Sequence, residues 1–168
     1  MSVTILAKEI TVSDLLATAR RSKKRRYQIF AGADARVQID TVRSGIPAQF
    51  LSALSADMNV SKEQLFDWTN IARATANRKI AANAALSVEE SERAFSVAKL
   101  IGQVATMVGE PHNTDGAATF DAASWTAQWL GEPNNALGGV APGEYLDTAE
   151  GRALIAQLLA QMQSGAYA

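Results

Sequence analysis

Cysteine is absent from these 168 residues, and histidine occurs once, at His112. The first absence removes any disulfide framework. The second leaves no Cys/His metal site, and both fit a reducing cytoplasm. Long hydrophobic runs are also missing: nothing approaches the roughly 18 apolar residues of a membrane span. The opening "MSVTILAKEITVSD" lacks the basic region and apolar run of a secretory leader. The expectation is a soluble cytoplasmic protein with no membrane partner.

Catalytic groups are equally scarce. His112 stands in a polar loop beside Pro111, where an exposed residue is the simpler reading than a general base. Glu89, Glu90 and Glu92 open a helix, so capping and the helix dipole account for them. Gly138 and Gly139 follow no strand and match no phosphate-loop spacing. No catalytic residue, cofactor or metal is expected.

What is present is a foldable, mostly helical chain. Hydrophobic residues make up 48% of it, enough for a packed core. The net charge of -1 conceals a split. Residues 1–79 hold thirteen Lys/Arg against seven Asp/Glu, whereas residues 80–168 hold three against ten. Such a split is either solvated surface or the mark of two partners of opposite charge.

Local patterns place the elements. "VSDLLATARRSKKRR" suggests a helix capped by Ser13 whose end is frayed by the six basic residues among Arg20 to Arg26. "YQIF" and "VQID" have the composition of short strands but are too isolated for a sheet. Pro47 suits the first turn of a helix carrying Phe50, Leu51, Leu54 and Met58 on one face. Ser61 with Gln64 begins a helix to about Thr69, and a second runs from Ala72 to about Asn83. Ser87 and Glu90 form a capping box for a long helix with an Ala94, Val97, Ala98, Ile101, Val104, Ala105 and Val108 stripe, ended by Gly109 and Pro111. A short helix carries Trp125 and Trp129 one turn apart. After "GEPNNALGGVAPGEYL", a last helix starts at Asp147 or Thr148 and stops at Gly165.

Two short helices separated by very few residues suit a helix-turn-helix whose second member enters the DNA major groove. Arg73, Asn77 and Lys79 can then reach base edges or phosphates, with Thr75 and Arg78 as readily touching the backbone. The alternative is a helical core with a solvated basic face.

Four stretches from residue 41 onward narrow this: "TVRSGIPAQFL", "RATANRK", "LSVEESERAFSVAKLIG" and "WLGEPNNALGGVAPGEYLDTAEGRALIAQLLAQMQSGAYA". Together they resemble the Xre/MbcA/ParS antitoxins, partners of RES-domain toxins in type II toxin-antitoxin pairs. The resemblance implies an all-α chain, with an Xre-like helix-turn-helix at 41–112 and a small helical toxin-binding domain at 113–168; it does not reach residues 1–40, which the local charge pattern marks as a basic arm. It implies a RES-domain toxin and promoter DNA as partners; because helix-turn-helix regulators commonly bind two half-sites as dimers, a homodimer within a larger toxin complex is expected. Family toxins consume NAD, by degrading it or by transferring ADP-ribose; this chain would be the inhibitor and the repressor of its own promoter. The recognition helix has fewer arginines than is usual in the family, and Tyr145 replaces the first Leu of a Leu-Leu pair.

An acidic C-terminal half complements a pocket built for an anionic dinucleotide. Toxin contact is therefore expected from Gly165, Ala166, Tyr167 and the Ala168 carboxylate, which would leave the last helix and enter the NAD cleft; a frayed terminus is the simpler alternative. Leu137 and Pro142 either pack under the last helix or form an apolar toxin contact. A solitary helix-turn-helix regulator without a toxin is the competing function.

Overall fold

The computed structural model describes residues 23–108 and 120–165. The Ser13-capped segment, the 109–119 loop with His112, and Ala166, Tyr167 and Ala168 lie outside the described residues, as does part of the Arg20 to Arg26 run. Among the described residues there are eight α-helices and no strand: α1 (Lys23–Gly32), α2 (Ala35–Ser44), α3 (Gln49–Met58), α4 (Lys62–Thr69), α5 (Arg73–Ala81), α6 (Val88–Met107), α7 (Ala122–Gly131) and α8 (Ala149–Ser164). Two 3-10 turns, Asn135–Leu137 and Pro142–Tyr145, fill the connection before α8.

The sequence sets most of these boundaries through end chemistry. Asp34, Ser61, Ser87 and Thr148 each accept a backbone N–H of the first turn that follows, satisfying donors that have no partner inside the helix. Ser87 and Glu90 complete the reciprocal capping box expected for α6. Asn59, Asn70 and Asn83 lie at φ 56, 48 and 50, in the left-handed region that Asn tolerates better than most residues, and each turns the chain out of a helix or its last turn.

Three local expectations need correction. "YQIF" and "VQID" lie in α1 and α2, because neither has a strand to pair with, whereas a helix buries Tyr27 and Phe30 one turn apart. Pro47 stands two residues before α3, where it bridges to Ala85 and its carbonyl accepts the Phe50 amide at 2.9 Å. The second helix of the pair ends at Ala81, since Asn83 turns left-handed and the Ala84 amide donates back to the Lys79 carbonyl.

The long α6 is the axis of the fold. Helices α1, α2, α4, α7 and α8 all pack on it. Gly102 explains how closely α1 approaches: a Cβ there would overlap the Tyr27 carbonyl and the Ala31 side chain. Phe30 stacks on Phe50 at 5.3 Å and meets Phe95 edge-on at 5.0 Å, joining α1, α3 and α6. One continuous cluster extends from these rings through Leu65, Phe66 and Ile71 to Leu130, Leu146, Ile155 and Leu159. The C-terminal helices therefore share a core with the helices before them.

Polar locks reinforce α1. The Tyr27 hydroxyl donates to Asp57 at 2.6 Å, and Arg26 pairs with the same carboxylate. Burial, and then the Asp57 contact, pushes the Tyr27 hydroxyl far above its ordinary range. Lys23 reaches Asp121 at 2.7 Å, at the cap of α7. Two described residues of the basic segment, Lys23 and Arg26, are thus engaged within the fold.

Candidate functional site

Two surfaces carry the expected site residues. On the first, α4, a three-residue turn and α5 form a helix-turn-helix, with Ile71 buried in the turn and Ala76 buried on α5. Small, buried Ala76 lets α5 lie close to its neighbours, which turns the rest of the helix outward. Arg73, Asn77 and Arg78 are exposed, while Thr75 and Lys79 are half-buried.

The five candidates differ in what holds them. Arg73 lies 3.6 Å from Asp67 on α4. Lys79 pairs with Glu90 at the start of α6, and both side chains are mostly covered, at 20% and 14% exposure. Burial works against the charged form of Glu90, but the Lys79 ammonium and the Ser87 backbone N–H outweigh it, so the carboxyl sits below its usual range. The side chains of Asn77 and Arg78 have no hydrogen-bond or ion-pair partner among the described residues. The exposed face of α5 is thus led by Asn77 and Arg78, with Arg73 shared and Lys79 tied inward.

Braces that local patterns could not reveal fix this unit. Arg93, on α6, donates to the Asn70 carbonyl in the turn at 2.8 Å. Gln49 donates to the Ile80 carbonyl near the end of α5 at 2.9 Å. The Ile46 amide donates to the buried Ser91 hydroxyl at 2.9 Å. Each contact spans more than twenty residues of sequence, so helical periodicity carries no trace of it.

The second surface lies at the C-terminal end. Asp121 caps α7 by accepting from the Ala123 and Ser124 amides. Burial opposes its ionised form, but Lys23 and the Ser124 amide and hydroxyl outweigh that and hold its carboxyl below the usual range. Trp125 and Trp129 stack with ring centroids 6.1 Å apart and planes 8° apart, half-buried against the core, in keeping with a packing role. Leu137 is half-buried, whereas Pro142 is buried. Gly143 beside it has no space for a side chain, because a Cβ would overlap the Trp68 indole and meet the Leu130 carbonyl. The glycine-rich connector is therefore pressed against α4 and α7.

Helix α8 is anchored on one side and bare on the other. Arg152 pairs with Glu92 at 2.9 Å and donates to the Leu146 carbonyl at 3.1 Å; the Gln103 amide donates to the Ala156 carbonyl at 3.0 Å. Its buried stripe is Gly151, Ile155, Leu158 and Leu159. The opposite side presents Ala153, Leu154, Gln157, Ala160 and Gln161 to solvent, with Leu154 42% exposed. No charged residue occurs after Arg152. Exposed acids, Glu144, Asp147 and Glu150, gather at its start. Gly165, at φ 69, ends the helix, and the other three residues expected to contact a toxin lie outside the described residues.

Comparison with known proteins matches residues 37–99 to the antitoxin Xre-like helix-turn-helix domain and residues 115–165 to the antitoxin Xre/MbcA/ParS C-terminal toxin-binding domain. The chain is 45% identical over 131 residues to the Prs ADP-ribosylating antitoxin of Sphingobium sp. (strain YBL2), covering 78% of this chain and 80% of that protein.

Proposed function

This chain belongs to the Xre/MbcA/ParS antitoxin family, and from that premise we propose that it neutralises a RES-domain, NAD-consuming toxin with its C-terminal region and represses its own promoter through α4 and α5. The supporting observation is the exposed side of α8, uncharged beyond Arg152, on a core that also presents a helix-turn-helix. Beyond Arg152 this face, with Leu154 protruding, carries no charge and loses little when a protein covers it, because no ion there must be desolvated, while Glu150 one turn earlier keeps its charge at the rim. Residues 113–168 would serve the toxin, and residues 41–112 the DNA.

On the toxin side, contact is assigned to Leu137 and to Gly165, Ala166, Tyr167 and Ala168, which follow α8 in the sequence, while buried Pro142 shapes the connector. The chain acts as a stoichiometric inhibitor, not an enzyme. The relative's name favours ADP-ribose transfer as the reaction being silenced. On the DNA side, Arg73, Thr75, Asn77 and Arg78 face the groove and backbone, and Lys79 holds the end of α5. Two copies would bind two half-sites, as helix-turn-helix proteins commonly do.

Co-expression with the product of the adjacent gene tests this reading. The expected result is rescue of a toxic protein with which this chain co-purifies. A harmless neighbour, or one that is neither rescued nor bound, would favour a solitary regulator.

A further inference from the structure

We propose that Asp67 sets the DNA affinity of the helix-turn-helix by competing with phosphate for Arg73. This rests on the DNA-binding reading above and adds to it an affinity-determining residue that touches no base. The Arg73 guanidinium, at the first position of α5, stands 3.6 Å from the Asp67 carboxylate, and the two side chains are 61% and 62% exposed. A pair so open is accessible to an incoming anion and weak enough to be exchanged. Asp67 also lies one turn from Glu63 on the exposed side of α4, the helix that crosses the phosphate backbone in this kind of unit.

Within α5 the cations are thereby graded. Lys79 is covered and committed to Glu90, Arg73 is on loan to Asp67, and the Arg78 side chain has no ion pair among the described residues. A phosphate that takes Arg73 must leave Asp67 without its partner and accept that carboxylate as a neighbour. Binding through Arg73 consequently releases less counterion, and gains less affinity, than binding through an unpaired arginine.

Fluorescence anisotropy of a labelled duplex from the region upstream of the chain's own gene, and of a random duplex of equal length, tests this across a salt series. Asp67→Asn should tighten both about threefold to tenfold at low salt and steepen the plot of log affinity against log salt by about one. The gain should largely vanish in an Arg73→Gln background, because the competition has lost its object. An unchanged affinity and slope, or an equal gain without Arg73, overturns the proposal while leaving the DNA-binding reading intact. Failure of both wild type and Asp67→Asn to bind either duplex at low salt overturns that reading too. Both positions are exposed, and matched melting temperatures confirm that the variants fold.

Discussion

Helices α5 and α8 are built to opposite rules on the same core. On α5 Arg73, Asn77 and Arg78 are exposed, and two of its three cations are held by carboxylates from neighbouring helices. On α8 the exposed side beyond Arg152 carries no charge, and Leu154 projects from it. A polyanion is met by charges whose number and freedom set the affinity, and so by a salt-sensitive interaction. A folded protein is met by a surface that is inexpensive to dehydrate, where shape decides. On the function proposed above, the contrast lets one small chain serve two partners without two cores.

Substitutions that cross these rules should break the contrast, beginning with the largest effect. Leu154→Asp places a charge on the bare side of α8 and should weaken toxin binding about 100-fold, near 2.7 kcal/mol, with little change in melting temperature. Gly143→Ala strikes where the connector meets Trp68, and overpacking there should cost about 1–3 kcal/mol in denaturant unfolding. Because α4 and the connector share that contact, both binding activities should decline together in the less stable protein. Arg78→Ala should cost DNA about tenfold, reduce the salt slope by about one, and leave toxin affinity unchanged.

The smallest effect concerns Glu90. Its folded carboxyl titrates below the ordinary range, so its contribution is complete above the unfolded value near pH 4.3 and is lost as pH falls through the lower, folded one. Glu90→Gln should therefore cost about 1 kcal/mol near pH 7 and flatten stability between about pH 5 and pH 3. Urea unfolding of both proteins across that window measures the difference; parallel curves would show that Lys79 is not held by this charge.

Sequence patterns made the helices after residue 45 legible because caps and apolar stripes are local. Ser61, Ser87 and Gly165 announce their ends within three residues, and the ordered residues of the connector carried the family resemblance. Helices α1 and α2 were hidden for the opposite reason. Tyr27 and Phe30 gain their meaning from Phe95, Gly102 and Asp57, which are distant in sequence. The proposed DNA face was legible as residue types but not as freedom: nothing near Lys79 or Arg73 reveals that Glu90 and Asp67 stand beside them. Arg93, bracing the turn from α6, was likewise invisible to periodicity.

The central claim, that two surfaces on one core act independently, is tested most directly by toxin rescue and operator binding measured on Leu154→Asp. The account predicts that growth is no longer rescued from the co-expressed toxin while the purified variant binds its promoter within about twofold of wild type. Full rescue, or loss of both activities in a protein that still melts normally, would contradict it.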